Sequence, residues 1–433
     1  MKTIATHTLG CKLNFAETSD LMRRFNEAGW HSVDFGDKAD LYVINTCTVT
    51  AIAEKKCRNA IRQAIATNPD AIVAVIGCFA QNDAAAIKKI DGVDIILGND
   101  QKHNLLQHVE RLTKGYTKND ALTATPAEPT SFHLSYSHAD RTRTFFKVQD
   151  GCDYFCSYCA IPFARGRSRS ATVAETVAMA RRIAASGAKE VVLTGINTGT
   201  FGKSHNETFF DLICALDEVD GIERYRISSI EPNLVTDDII NFVASSRHFL
   251  PHFHIPLQAG SDKVLKLMHR RYDTAFYAAL LNKIKAAMPD ACIAADIMAG
   301  FNGETDTEFD KVMAFVDSIP ISYLHVFTFS ERPNTAALKM DQRIDIHHRR
   351  EHSRQLHELS LQKKREFYLQ QQGKTRPVLW ESDRKNDFMF GFTDNYIRVR
   401  RPYNPALINT ITDYRLTHFV EDEEVFENAD SAQ

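Results

Sequence analysis

Long apolar stretches are scarce in this chain of 433 residues. The longest nearly continuous one, 71 AIVAVIGCFA 80, is far shorter than the roughly 20 residues that a membrane-spanning helix requires. The first residues, MKTIATHTLGC, also lack the basic and then apolar pattern of a secretory signal. We therefore expect a cytoplasmic protein with no membrane partner.

Net charge is also low, at −3, but it is distributed unevenly. From residue 421 onward the sequence EDEEVFENADSAQ carries six acidic residues and no basic one, so the rest of the chain is net positive. Residues 141–170 hold six Arg or Lys residues against two Asp. Such local basic segments are what a polyanion would contact.

The chain is too long for one ordinary core, and its pattern changes along its length. Residues 1–115 alternate between short apolar runs and amphipathic stretches, which predicts a parallel sheet covered by helices. Strands are predicted at 2–8, 41–45, 71–77 and 94–97. Residues 116–140 lose this periodicity and are rich in Thr, Ser and Pro, which predicts a linker.

The same alternation resumes over residues 141–370 and ends in a polar helix at 341–370. Its predicted strands are 145–148, 190–194, 224–229, 252–257, 292–298 and 323–329. Six βα repeats are fewer than the eight of a closed barrel, so a partial (βα)6 barrel is expected. Residues 373–433 change to short strands of a small antiparallel β-barrel. The predicted fold class is therefore α/β with three domains.

Nine cysteines are present, and three of them occur in 152 CDYFCSYC 159 at the spacing Cys-x3-Cys-x2-Cys. Clustered thiols in a reducing compartment more often bind metal or take part in catalysis than form disulfides. A structural zinc site would need a fourth ligand, and the nearest upstream histidines, His133 and His138, lie in the predicted linker. A cluster of iron and sulfide with one open coordination position is the other interpretation. We call Cys152, Cys156 and Cys159 the loop triplet.

Three further cysteines, Cys11, Cys47 and Cys78, each follow directly after a predicted strand. Ligands of open α/β sheets bind at the carboxyl ends of the strands, so these thiols are expected to converge. The alternative is that they are small core residues placed there by coincidence. We call them the strand-end triplet. The other cysteines fall inside helical or strand patterns and are predicted to be ordinary buried residues: Cys57, Cys214 and Cys292.

The cysteine motifs resemble those of the radical S-adenosylmethionine (SAM) methylthiotransferases. CDYFCSYC, with the aromatic Tyr158 before its last thiol, is similar to the cluster loop of radical SAM enzymes. The stretches 8 TLGCKLNFAET 18, 45 NTCTVT 50 and 77 GCFAQ 81 are similar to the N-terminal domain of this family. Downstream motifs also resemble the family, and the predicted terminal barrel resembles its RNA-binding TRAM module: 193 LTGINTG 199, 228 SSIEP 232, 254 HIPLQAGS 261, 296 DIMAGFNGET 305 and 326 VFTFSERPNT 335.

Within the family, 10 GCKLN 14 most resembles the type that inserts a methylthio group at C2 of threonylcarbamoyladenosine, next to the tRNA anticodon. Alternatives are the types that act on isopentenyl-adenosine in tRNA or on a ribosomal-protein aspartate, which usually carry Gly-Cys-Gln-Met-Asn and Gly-Cys-Pro-Lys-Asn. Phe329 and Asn302 depart from the family pattern, where Tyr and Pro are common. From a different class, a non-catalytic RNA-binding protein with zinc-stabilised loops also remains open. Purified protein would be brown with iron–sulfur clusters and colourless with zinc.

The resemblance implies two [4Fe-4S] clusters and two molecules of SAM per turnover. The loop triplet would hold the cluster that cleaves SAM, and the strand-end triplet the cluster that presents the sulfur. No catalytic residue is expected beyond these cluster ligands. Contacts to SAM are expected from residues in these motifs: Tyr158, Gly195, Asn197, Ser229, Glu231, Gln258 and Asp296. The alternative role for each is a polar residue that caps the next helix.

The partners that the resemblance implies are tRNA, through an anticodon stem-loop carrying threonylcarbamoyladenosine, and an electron donor such as flavodoxin or ferredoxin. Arginine suits both phosphate and the carboxylate of the threonylcarbamoyl group. RNA contacts are expected from arginines after the loop triplet and in the terminal barrel: Arg165, Arg167, Arg169, Arg398 and Arg400.

Overall fold

A computed structural model describes residues 2–113, 122–123, 128–137 and 142–428 of the chain. Much of the predicted linker at 116–140, including His138, lies outside the described residues. The chain divides into two compact units. Unit 1 comprises Met1–Asp140, Phe145–Ala171 and Ser330–Leu338, and unit 2 comprises Arg141–Thr144, Thr172–Phe329 and Lys339–Gln433. The finer division into domains at 115, 141 and 373 stays a prediction.

Unit 1 contains a parallel sheet of six strands in the order β2-β1-β3-β4-β5-β6. Successive side chains of a strand point to opposite faces, and here both faces are buried. Leu41 and Val43 of β3 belong to one core, while Tyr42 and Ile44 belong to the other. The strands are β1 Thr3–Thr8, β2 His31–Val33, β3 Leu41–Thr46, β4 Ile72–Gly77, β5 Ile95–Leu97 and β6 Leu122–Thr123.

Helices cover both faces of this sheet. Cys57 and Ile61 of α2 pack into one core, whereas Leu21 of α1 and Leu105 of α5 pack into the other. These helices of unit 1 are α1 Lys12–Glu27, α2 Ala51–Thr67, α3 Cys78–Asn82, α4 Ala84–Lys88 and α5 Leu105–Thr113. The three-layer arrangement is the one that the alternating pattern of residues 1–115 predicts.

Strands β7 to β10 precede or follow the loop triplet in the sequence. Strand β7, Ser135–Tyr136, pairs antiparallel with β8, Arg143–Lys147, and Ser135 lies opposite Lys147. The part of β8 that belongs to unit 1 begins at Phe145. Strand β9, Gln149–Asp150, pairs antiparallel with β10, Arg169–Ser170. The loop triplet therefore lies between β9 and α6, Ile161–Arg165, in a segment that the β9–β10 pairing closes into a loop.

Unit 2 contains five parallel strands. β11 pairs with β12, single parallel bridges join Tyr225 to Phe249 and Ser229 to His254, and β13, β14 and β15 pair in order. The strands are β11 Glu190–Thr194, β12 Arg224–Ile227, β13 His252–His254, β14 Cys292–Ala299 and β15 Tyr323–Thr328. The helices that accompany them are α7 Val173–Ala185, α8 Phe209–Asp217, α9 Asp237–Ser245, α10 Asp262–Leu267, α11 Thr274–Ala287 and α12 Asp306–Ser318.

Helix α13, Ile346–Leu369, leads into a C-terminal sheet in the order β19-β16-β17-β18-β21-β20. All its pairings are antiparallel except that of β18 with β21. Trp380, Val399 and Phe426 are buried in its core. Its strands are β16 Thr375–Lys385, β17 Phe388–Thr393, β18 Arg398–Pro402, β19 Ile411–Arg415, β20 His418–Val420 and β21 Val425–Glu427.

The α/β class, the parallel N-terminal sheet and the antiparallel character of the C-terminal sheet are confirmed. The closure of that sheet into a TRAM-like barrel and the partial (βα)6 barrel stay predictions. Strand β2 was not predicted, because its sequence HSV is short, largely exposed and not apolar. Among the described residues, no helix has the length and apolar character needed to cross a membrane.

Candidate metal centre

The strand-end triplet lies at one edge of the unit 1 sheet. Cys11 follows β1, Cys47 follows β3, and Cys78 follows β4 and begins α3. Because β1, β3 and β4 are neighbouring parallel strands, their carboxyl ends meet at this edge. Burial, together with the nearby thiols of Cys78 and Cys11, raises the pKa of Cys47 to about 12. The three thiols are thus close enough to influence one another electrostatically.

Two glycines allow the loops of this triplet to approach each other. Gly10 has φ +101°, and a Cβ added there would lie 2.8 Å from Cβ and 2.9 Å from Sγ of Cys47. Gly77 has φ +95° and is packed against Asn45 and Thr46, directly before Cys78. Only glycine combines such a conformation with such close contact at little cost.

We predict that Gly10→Ala displaces the Cys47 thiol and reduces the iron bound by the chain after anaerobic reconstitution. Loss of the strand-end cluster would remove about half of the iron. Gly29→Ala is the matched control, because Gly29 also has a positive φ, +83°, but has nothing within 4 Å of the added Cβ. Iron retained equally in both variants would contradict the crowding argument.

The loop triplet is partly exposed and held by backbone hydrogen bonds. Cys152 N–H donates to Gly166 O at 3.0 Å, and Cys159 N–H donates to Cys156 O at 3.0 Å. Tyr154 N–H donates to the Cys152 sulfur at 3.4 Å. Cys156 is buried, whereas Cys152 and Cys159 are half-buried. Two of the three cysteines of the loop triplet are therefore partly accessible.

A buried ionic network connects the two cysteine loops within unit 1. The guanidinium of Arg165 donates to Asn14 Oδ1 at 2.6 Å and to both oxygens of Asp150 at 2.9 and 3.0 Å. Glu17 pairs with Arg165 at 3.2 Å, with Lys102 at 2.5 Å and with Lys147 at 2.7 Å. Burial alone would raise the pKa of Glu17, but these three cations outweigh it and hold the pKa well below its usual value. Glu17 is therefore a carboxylate that binds three buried cations.

Asn99 makes a second connection between the loops. Its Nδ2 lies 3.7 Å from the sulfur of Cys78 and donates to Ala164 O, in the helix after the loop triplet, at 2.7 Å. Its Oδ1 accepts from Lys102 Nζ at 2.8 Å. One amide thus touches the strand-end triplet, the helix that follows the loop triplet and the buried ionic network.

The segment Ser330–Leu338 also contacts both loops. Ala337 N–H donates to Ser157 O at 2.8 Å, between two cysteines of the loop triplet. Arg332 Nη2 lies 3.3 Å from the hydroxyl of Thr48, the residue after Cys47, and pairs with Glu54. The two cysteine loops, Asn99 and this segment therefore form one connected site within unit 1.

The spacing of the three sulfurs within each triplet bears on whether the triplet could hold one zinc ion or an iron–sulfur cluster. In neither cysteine triplet do all three sulfurs lie within 4.8 Å of one another, across the part of the chain that the structure describes. A single tetrahedral zinc with Zn–S bonds of about 2.3 Å needs a tighter set. In an iron–sulfur cubane the thiolates bind separate iron atoms, which spreads them further apart. The spacing is compatible with cubanes, and the metal that each triplet holds stays a prediction.

Most of the predicted SAM residues lie in unit 2, near the carboxyl ends of its parallel strands. Gly195 follows β11, and Asn197 Oδ1 accepts from Glu231 N–H at 3.4 Å. Ser229 O accepts from Thr198 N–H at 3.2 Å. Gln258 has φ +66° and its N–H donates to Asp296 O at 2.8 Å. Tyr158 belongs to unit 1.

Both carboxylates among the predicted SAM residues have protein partners. Glu231 is paired with Arg270. Asp296 Oδ1 lies 2.9 Å from Nε2 of His254, and His325 on the neighbouring strand completes a group whose donor atoms are within 4.8 Å of one another. His254, His325 and Arg270 were not predicted, although His254 begins the motif HIPLQAGS. Asn14 and Glu17 were also missed, although both lie in the motif TLGCKLNFAET.

The predicted RNA-binding arginines have different environments. Arg165 is fully buried and bonded as described above, so it acts as a structural group of unit 1 rather than as a surface contact for RNA. Arg169 donates to Ser131 O, Arg165 O and Arg167 O, and thereby holds the loop. Arg167 is exposed, with its guanidinium 4.7 Å from the ring of Phe155. In unit 2, Arg398 lies 4.2 Å over Phe390, whereas Arg400 is paired with Glu427 at 2.8 Å and with Glu423.

Comparison with known protein families matches two parts of the chain. The description "Uncharacterized protein family UPF0004" matches residues 3–98, and "Radical SAM superfamily" matches residues 146–316. Among solved structures, the radical S-adenosylmethionine methyltransferase TsrM of Kitasatospora setae aligns with a TM-score of 0.58 at 14% identity, over 76% of this chain and 73% of that one. The likeness to TsrM concerns the fold alone. Together with the cysteine motifs, these matches define the class as a radical SAM enzyme.

Curated relatives narrow the class further. The threonylcarbamoyladenosine tRNA methylthiotransferase MtaB of Bacillus subtilis is 39% identical over 92% of this chain and 90% of its own length. The enzyme of the same name from Aquifex aeolicus is 36% identical over 92% of this chain and 96% of its own length. The chain belongs to the MtaB family of radical SAM methylthiotransferases.

Proposed function

We propose that this chain transfers a methylthio group to C2 of the adenine in N6-threonylcarbamoyladenosine, next to the anticodon of tRNA. The single observation that carries the proposal is the pair of cysteine triplets in unit 1, linked by Asn99 and by the segment Ser330–Leu338. Two cluster sites in one unit suit a reaction that needs both a radical source and a sulfur source. The similarity to the MtaB relatives supports the choice of substrate.

The cofactors proposed are two [4Fe-4S] clusters and two molecules of SAM per turnover. When bound, the cluster of the loop triplet would use one SAM to supply the radical that takes hydrogen from C2, and the cluster of the strand-end triplet would present a sulfur methylated by the second SAM. Cys47 and Cys78 are buried and Cys11 is exposed, so the protein would shield that cluster from water on the side of Cys47 and Cys78. Arg165, Asn14 and Asn99 fix the loops that carry the ligands.

Residues of unit 2 are proposed to bind SAM. Gly195, Asn197, Ser229 and Gln258 follow the carboxyl ends of parallel strands, where ligands of such sheets bind. Asp296 would act together with His254, and Glu231 would act through its pair with Arg270. Tyr158, directly before Cys159, is proposed to contact the same cofactor.

Transfer RNA is the proposed macromolecular partner. Arg167 and Arg398 are the arginines best placed to contact it, while Arg169 and Arg400 have protein partners already. The C-terminal sheet is proposed to be a TRAM-like RNA-binding barrel. An electron donor such as flavodoxin or ferredoxin would supply electrons, and the cytoplasm is the proposed location because the substrate is tRNA.

The proposal predicts the nucleoside composition of tRNA in cells that lack the gene. We expect the methylthio form of threonylcarbamoyladenosine to disappear and the unmodified form to accumulate, as measured by mass spectrometry of digested tRNA. The parent gene and a Cys214→Ser variant should restore the methylthio form, whereas Cys78→Ser should not. Loss of the methylthio group from isopentenyl-adenosine alone would contradict the proposal.

A further inference from the structure

The exposed large apolar side chains of unit 1 are concentrated around its cysteine loops. Within the described part of this unit they all lie in the segments that follow Cys47 and Cys152 or in Ser330–Leu338, and they are Val49, Ile52, Phe155, Phe163 and Leu338. Single exposed apolar residues need no explanation, but their concentration near one site is a feature of binding surfaces. This distribution is typical of a binding surface beside the cysteine loops.

Two phenylalanines and one arginine give this surface its chemical character. Phe155, between two cysteines of the loop triplet, is 39% exposed, and Phe163 on α6 is 42% exposed. Their rings meet edge to face, with centroids 6.2 Å apart and an angle of 82°. The exposed guanidinium of Arg167 lies 4.7 Å from the centroid of the Phe155 ring. We call Phe155, Phe163 and Arg167 the aromatic surface.

The charge near the aromatic surface favours an anionic partner. Residues 141–170 contain two acidic residues. Asp150 is buried and paired with Lys147 and Arg165, while Asp153 accepts from Ser168 N–H at 3.2 Å. Arg167 is exposed, whereas Arg165 is buried and neutralised by Asp150, so Arg167 provides a cation at the surface. Exposed aromatic rings beside a cation match single-stranded nucleic acid, whose bases stack and whose phosphates pair with arginine.

We propose that the aromatic surface binds the single-stranded loop of the substrate tRNA, with Phe155 and Phe163 stacking on bases and Arg167 contacting a phosphate. This inference rests on the proposed function and deepens it. It assigns recognition of the nucleotides around the target adenosine to the loop that holds the loop triplet. RNA binding is thereby not confined to the C-terminal sheet.

The test measures binding of a synthetic anticodon stem-loop carrying threonylcarbamoyladenosine to the anaerobically reconstituted full chain, by fluorescence anisotropy. Phe163→Leu, which keeps an apolar side chain but removes the ring, is expected to weaken binding about tenfold. Phe163→Trp should restore it. Arg167→Gln should weaken binding and lower the slope of log affinity against log salt by about one.

The control variant is Phe276→Leu, because Phe276 is 44% exposed but lies on α11 in unit 2. It should bind the stem-loop within about twofold of the parent, a change too small to reflect lost stacking. Each variant should also retain the parent's iron content and the visible absorbance of its reconstituted clusters. Those two measurements separate lost RNA contact from a damaged cluster loop.

Parent affinity in both Phe163→Leu and Arg167→Gln would overturn the inference. The inference would also be overturned if these variants kept their RNA affinity, kept turnover with dithionite and lost turnover with a protein reductant. The surface would then bind the electron donor. The inference would also be overturned if Phe163→Leu bound less iron than the parent and Phe163→Trp did not restore the iron content. If the parent chain modified the stem-loop but the variants bound it equally well, only this inference would fail. If the parent neither bound nor modified it, the proposed function would fail too.

Discussion

Replacing Cys47 by serine is expected to remove one cluster, about four iron atoms per chain, and to abolish methylthio transfer. A serine oxygen is a poor substitute for a thiolate on iron, and Cys47 lies at the centre of the strand-end triplet, between the loops of Cys11 and Cys78. Iron and sulfide analysis after anaerobic reconstitution, together with Mössbauer spectroscopy, would measure the loss. Cys156→Ser should remove a similar amount of iron from the loop triplet, so that the double variant holds almost none.

The three cysteines outside the triplets provide matched controls. Cys214→Ser and Cys292→Ser should retain all the iron, because both residues belong to unit 2 whereas both triplets belong to unit 1. Cys57 is the sharper control, since its sulfur accepts from Cys47 N–H at 3.4 Å and lies 3.6 Å from Cys47 O. A serine hydroxyl can make both bonds, so Cys57→Ser should also retain iron. Equal loss in all the variants would contradict the assignment of ligands.

Glu17→Gln is expected to destabilise unit 1 by about 3–5 kcal/mol, which is the usual cost of removing one partner from a buried ion pair. Glu17 is the common partner of Arg165, Lys102 and Lys147. Its loss leaves Arg165 and Lys147 with Asp150, and leaves Lys102 bonded to the neutral amide of Asn99. The chain has two tryptophans, and Trp30 is buried in a core of unit 1 while Trp380 is buried in unit 2. Urea unfolding followed by fluorescence in a Trp380→Phe background would therefore report on unit 1.

A second substitution tests whether charge balance is the cause. Glu17→Gln combined with Lys102→Met removes one anion and one cation, and should be less destabilised than Glu17→Gln alone. Glu351→Gln is the surface control, because Glu351 pairs with Arg354 on the exposed side of α13 and should leave the unfolding midpoint unchanged. A double variant less stable than the single one would show that lost hydrogen bonds, rather than unbalanced charge, dominate.

The local sequence pattern was enough to place the strand-end triplet. The apolar runs before Cys11, Cys47 and Cys78 predicted strands, and the alternation with helices predicted that those strands are parallel. Once strands are parallel, their carboxyl ends share an edge, so convergence of the thiols follows from topology. The order β2-β1-β3-β4, which makes the relevant strands adjacent, was beyond what the pattern contains.

The role of Arg165 could not be read from its neighbours in sequence. It lies among Arg167 and Arg169 in a basic stretch, which suggested a surface that meets RNA. Its partner Glu17 is 148 positions away, and the burial of that pair depends on how the segments of unit 1 pack. Composition identifies a charged residue, but only the fold determines whether solvent or a carboxylate surrounds it.

Unit 1 is discontinuous in the sequence, and this affects how it can be made. Its last segment, Ser330–Leu338, is synthesised after most of unit 2, yet it contacts both cysteine loops. A ribosome must therefore synthesise the first 338 of the 433 residues before unit 1 is complete. A truncated product that ends near residue 115 would expose Glu17 and Lys102 without Arg165 and Lys147, and would make a poor acceptor for an iron–sulfur assembly machine. Completion of unit 1 is in this way coupled to the synthesis of Ser330–Leu338 rather than to that of its first 115 residues.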